Sequence, residues 1–100
     1  MAFAVHIADS VTDYIRSREH LSVSDQIRIF EGIEQELGEQ AERFLERNPH
    51  PYLADRYWYD FWLMTDAHVV RAFRFACSAE GHVFGVTEVL FAEERPEDAD

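Results

Sequence analysis

The sequence predicts an α+β domain: an N-terminal strand, two helices, then a three-stranded antiparallel meander, with the helices on one face of the sheet. Two observations carry this expectation. Apolar residues between Ser22 and Arg47 recur at spacings of three and four, as on one buried helical face. From Tyr57 to Phe91 the chain instead alternates β-branched and aromatic runs with short turn segments. No internal repeat or long linker divides the 100 residues, so one domain is expected over 1–92, followed by an acidic tail over 93–100.

In chain order, Phe3-Ala4-Val5-His6-Ile7 reads as the first strand, with Phe3, Val5 and Ile7 on one face. Asp9 and Ser10 are N-cap candidates for a helix reaching about Glu19, with Val11, Tyr14, Ile15 and Leu21 as its apolar stripe. Ser22 with Asp25 forms a variant capping box that opens the second helix. That helix carries Ile27, Phe30, Ile33, Leu37, Ala41, Phe44 and Leu45 on its apolar side. Gly38 predicts a kink or break within it, because Gly costs about 1 kcal/mol relative to Ala there. Asn48-Pro49-His50-Pro51 ends it, and Leu53 to Arg56 lead into the sheet. The meander is then Tyr57–Met64, Val69–Ala76 and His82–Phe91, with turns at Thr65–His68 and Ser78–Gly81.

The chain has 20 acidic residues against nine basic ones, all Arg, for a net charge of −11. Such a balance disfavours nucleic acid, whose phosphates are held by Lys and Arg, except through a local Arg cluster; it points to a basic partner or simply to solubility. No apolar run approaches the ~18–20 residues of a membrane span. The N-terminus lacks the charged flank and apolar core of a signal peptide, so a cytoplasmic location is expected. The single Cys77 permits no internal disulfide and reads as a small core residue. His6, His20, His50, His68 and His82 have no metal-ligand spacing, and there is no glycine-rich phosphate loop, so neither metal nor cofactor is expected.

The central strand Val69–Ala76 holds Arg71 and Arg74, which three-residue spacing sends to opposite faces. Symmetric turns would pair Met64 with Val69 and Ser78 with Val83. Arg71 would then face the helices with Trp58, Asp60, Trp62 and Glu88, and form a structural ion pair with Asp60 and Glu88. The opposite face would present Tyr57, Tyr59, Phe61, Arg74 and Thr87 as a binding surface, with Tyr59, Arg74 and Thr87 in one row. A one-residue slip would exchange the two faces.

The element order, together with the arginine-bearing strand Arg71-Ala72-Phe73-Arg74-Phe75, resembles the RelE/ParE toxin superfamily of bacterial toxin–antitoxin modules, over roughly Phe3 to Phe91. The resemblance implies either ribosome-dependent mRNA cleavage or poisoning of DNA gyrase, with neutralisation by an antitoxin segment lying along the domain. Arg71 best matches the family's motif arginine, and Arg74 stands where the family often has an aromatic residue. Strand Tyr57–Met64 lacks the basic residues usual in the family's nucleases, and the last strand over Val86–Glu93 has no Arg, His or Tyr. RNA cleavage needs a base for the 2′-hydroxyl and a cation for the phosphate; the candidates are Arg71, Arg74 and Tyr59, with His68 and His82 as the other groups that could serve as the base. The expectation is therefore a RelE/ParE-like protein acting by protein–protein binding, on an antitoxin-like or other protein partner. A divergent mRNA endonuclease and a self-associating module, a homodimer, are the alternatives.

Overall fold

The computed structural model describes residues 2–51 and 56–96, with side-chain surroundings given as far as Leu90. Segment 52–55, and the part of the predicted tail at 97–100, lie outside the described residues. The elements are β1 (Ala4–Ile7), α1 (Asp9–Arg16), α2 (Val23–Glu34), a π-helical turn (Gln35–Glu39), α3 (Ala41–Arg47), β2 (Arg56–Met64), β3 (Val69–Glu80) and β4 (Val83–Pro96).

The predicted α+β class is present, but the second predicted helix is divided into α2, the π turn and α3, and the sheet differs from the expected meander. It is mixed: the order is β1-β4-β3-β2, and β1 runs parallel to β4, Val5 beside Phe84 and Ile7 beside Val86. β4 also continues to Pro96, opposite Val69, so residues 93–96 are strand and not tail. α1 ends at Arg16, short of Glu19, and its N-cap is Ala8, with no side-chain cap from Asp9 or Ser10.

The helices cover one face of the sheet through Val11, Ile15, Ile29, Ile33, Leu37, Ala41 and Phe44. Ile27, expected inside, is half exposed, and Ile29 takes its place. The buried series Ile29, Ile33, Leu37, Ala41 advances by four residues at a time. On an ideal α-helix each such step drifts about 40°. The wider π turn at Gln35–Glu39 takes up part of that drift, so Leu37 and Ala41 still face the sheet. Gly38 sits in this turn, and its carbonyl accepts from Phe3 N at 2.9 Å. A Cβ there would press to 3.2 Å from Phe3 O and Val5 Cγ2, so glycine is what lets β1 approach.

The start of α2 is tied to the β2–β3 hairpin. The predicted capping box forms, with Asp25 N donating to Ser22 Oγ and Ser22 N to Asp25 Oδ2, both at 3.0 Å. Asp25 is only 1% exposed, and its Oδ1 also accepts from Asp66 N in the hairpin loop at 3.1 Å. Arg28 bonds Asp25, Asp66 and Met64 O, and Ser22 Oγ donates to Asp66 Oδ2 at 2.6 Å.

Burial alone would raise the pKa of Asp25. The N–H groups of Ser22 and Asp66, with the Ser22 side chain and Arg28, outweigh it and hold the carboxyl below its ordinary value. A depressed folded-state pKa gives stability that is present above the unfolded carboxyl value and is lost as pH falls through the folded one. Asp25→Ala is expected to cost about 2 kcal/mol at neutral pH, or roughly 10 °C in Tm. Melting curves across pH should show the gap to wild type closing on the acid side.

Candidate functional site

The site is decided by one turn. Thr65 N donates to Val69 O and His68 N to Thr65 O, both at 2.9 Å, and His68 takes φ 60°. This is the three-residue hairpin loop in which a turn is followed by a left-handed residue. It pairs Met64 with Val70, not with Val69. The one-residue difference turns every β2 side chain over relative to the symmetric expectation.

Tyr57, Tyr59, Phe61 and Leu63 consequently face the helices, opposite Cys77, Phe75, Phe73 and Arg71. Tyr59 is a core residue, and Tyr57 and Phe61 pack half-buried against the core, so none of the three is the expected binding surface. Tyr59 is 1% exposed, lying edge-on to Phe44 and stacked on Phe75, each at 6.0 Å. Burial, and secondarily the charge of Glu36, push its hydroxyl pKa upward, so it is no ready base. The expected ion pair of Arg71 with Asp60 and Glu88 is not formed. Arg71 is on the helix side and 8% exposed, whereas Asp60 and Glu88 share the other side.

The second hairpin differs as well. Its strands run on to Glu80 and Val83, so the loop is Gly81-His82, with Gly81 at φ 61°. β4 then takes two irregularities against β3, between Arg74 and Phe75 and between Ala76 and Cys77. Thr87 falls at the second of these, and its Oγ1 donates to Ala76 O at 3.2 Å. The expected row of Tyr59, Arg74 and Thr87 is therefore not assembled.

The open face of the sheet instead carries Trp58, Asp60, Trp62 and Met64 of β2 beside Val70, Ala72, Arg74 and Ala76 of β3. Trp58 is 46% exposed, Trp62 57%, and Met64 is also exposed. Arg74 grips Asp60 with two bonds, Nε to Oδ1 at 2.7 Å and Nη2 to Oδ2 at 3.0 Å. Its guanidinium also lies 4.6 Å from the Trp58 ring centroid. Directly opposite the two indoles stand Ala76 and Ala72, both buried, whose small side chains leave room for the rings. Of the expected binding residues, Arg74 alone takes part in this face. A cleft of about 250 Å³ opens at its margin, lined by Glu36, Phe44, Arg47, Asn48, Trp58, Tyr59 and Asp60.

Sequence reasoning missed Trp58, Asp60, Trp62 and Met64 as the exposed set. Asp60 was the available signal: a carboxylate in mid-strand marks the solvent side, and alternation carries Trp58 and Trp62 with it.

Elsewhere, Cys77 is fully buried and burial pushes its thiol up to about 12, which leaves it poorly suited to act as a nucleophile. The five His side chains are exposed, and among the described residues no group of three or more His, Cys, Asp or Glu is placed to hold a metal. No described helix is long and apolar enough to cross a membrane. Compared with family models, curated proteins and solved structures, the chain matches none of them.

The two faces should separate in urea titrations. Tyr59→Ala is expected to cost about 4 kcal/mol, in line with deletion of a large buried ring. Trp62→Ala should cost less than about 1 kcal/mol, as at an exposed site.

Proposed function

We propose that this chain is a RelE/ParE-like protein of toxin–antitoxin type that acts by binding a protein partner through the open sheet face, without cleaving RNA. The observation that carries the binding reading is the exposed Trp58–Trp62–Met64 row around the Arg74–Asp60 pair. Tryptophan and arginine anchors of this kind dominate the energetics of protein interfaces. The indoles offer large apolar area on a rigid strand, so little conformational entropy is lost when they are covered. With a net charge of −11, long-range steering favours a basic partner of antitoxin type.

The reading without catalysis rests on where the three candidate groups lie. Tyr59 is enclosed on the helix side, Arg71 on that side is 8% exposed at the wall of a cleft of about 230 Å³ that it lines with His20 and Thr65, and Arg74 on the far side is engaged by Asp60. Substrate phosphate and a general base would have to meet at one point, and these groups are divided between the two faces of the sheet. A cytoplasmic site of action belongs to the same proposal.

The test is controlled induction in a bacterial host. Wild type should arrest growth with cellular mRNA intact, and the Trp58→Ala/Trp62→Ala double variant, at equal soluble level, should restore growth. Absence of any growth effect from wild type would overturn the toxin reading. Arrest with mRNA cleavage that persists in the double variant would transfer the activity to an enzyme.

A further inference from the structure

β2 is the edge strand of the sheet, nine residues long, and its pairing with β3 is regular throughout. Edge strands are usually blunted by bulges, Pro, charged side chains or short length. β2 is long and has no bulge, Pro or Lys, and its one mid-strand charge, Asp60, is held by Arg74. Its sequence reads nearly the same in both directions from Asp60: Tyr59 against Phe61, Trp58 against Trp62, Tyr57 against Leu63. From this symmetry we propose that the chain pairs with a second copy of itself, β2 antiparallel to β2 about a two-fold axis at Asp60, to make one continuous sheet. The surface is the edge of the strand, so the proposal goes beyond the open-face reading above and does not depend on a toxin role.

The main-chain phase fits. In an antiparallel ladder, residues alternate between those that exchange hydrogen bonds with the neighbour and those whose groups point away. The Thr65 N to Val69 O bond sets that alternation for the hairpin. Leu63, Phe61, Tyr59 and Tyr57 bond to β3, and the N–H and C=O of Trp58, Asp60 and Trp62 point outward. Met64 O also points outward, where it accepts from Arg28. An axis through a residue sets outward groups against outward groups, giving about six main-chain bonds over the Trp58–Trp62 span. A cleft at the centre of this edge is lined by Trp58, Tyr59 and Asp60 and, from the helices, by Glu36 and Arg47.

The side chains fit too. On the open face each Trp58 would lie opposite Trp62 of the second copy, and cross-strand aromatic pairs stabilise sheets. Such an interface is isologous, as a two-fold dimer requires. Asp60 would meet Asp60, an opposition of like charges, but Arg74 holds each carboxylate in a two-bond grip. The row across the seam then reads Arg74, Asp60, Asp60, Arg74, which is neutral overall. Beyond Glu36 and Arg47, charges of opposite sign in the cleft beside the seam, the remaining opposition is long-range, because each copy carries −11. Salt screens that term, so self-association should tighten as salt rises, the reverse of pairing with a basic partner.

The test combines sedimentation with site-directed cross-linking of the full chain. Wild type should show a reversible dimer whose dissociation constant falls several-fold from low to high salt. Opposed residues in this register sit about 5.5 Å apart at Cα, within disulfide reach. Asp60→Cys should therefore form a covalent dimer on mild oxidation. Trp58→Cys and Trp62→Cys should each fail alone and cross-link when mixed, and they keep the Asp60–Arg74 pair should Asp60→Cys fold poorly. The native Cys77 is buried and does not compete. A wild-type chain that sediments as a monomer at every concentration and salt overturns the proposal while leaving the growth test untouched. Equal cross-linking of all variants, singly and mixed, overturns it as well.

Discussion

The hairpin loop Thr65–Val69 is the constraint on which the rest of the β-sheet depends. By placing His68 in the left-handed region it spends three residues, not four, between the bonded pair Thr65 and Val69. That choice assigns each β2 residue its face. A non-glycine at positive φ is unfavourable on its own, and the surrounding contacts hold it in place. Asp25 accepts from Asp66 N, Arg28 reaches both Asp66 and Met64 O, and Thr65 Oγ1 accepts from Val69 N at 3.2 Å. The cap of a helix and the register of a hairpin are thus fastened by the same carboxylate.

From this register follow two aromatic surfaces of different kinds. Tyr57, Tyr59 and Phe61 join Phe44, Phe73, Phe75 and Phe84 under the helices, where ring packing and area burial stabilise the fold. Trp58 and Trp62 stand on the other side over alanines, with Arg74 and Asp60 between them. Trp58 lies against Arg74, yet both indoles stay about half exposed, which leaves apolar area for a partner to cover. A protein partner on the face and a second copy at the edge draw on the same strand for different reasons. The face offers apolar area, whereas the edge offers main-chain groups and a symmetric sequence.

The helices were legible because their signals are local. The Ser22–Asp25 capping box, the Pro49 and Pro51 stop and the disturbance at Gly38 each follow from a few neighbouring residues. The fold class was legible for the same reason. The face of β2 was not, since its odd and even residues are both aromatic and alternation cannot choose between them. The turn had to decide, and His68 marks the left-handed position only weakly, where Gly or Asn would have marked it strongly. The consequence reached the site directly: Tyr59 moved from the working face to the core, and Asp60 from the core to the partner of Arg74. The irregularities in β4 were hidden too, because they arise from pairing and not from composition.

Tryptophan fluorescence of the isolated chain tests the register most directly, because Trp58 and Trp62 are its only tryptophans. Pairing of Met64 with Val70 predicts emission close to that of hydrated indole, with ready quenching by acrylamide. A blue-shifted emission that resists the quencher would place the indoles under the helices and contradict the account.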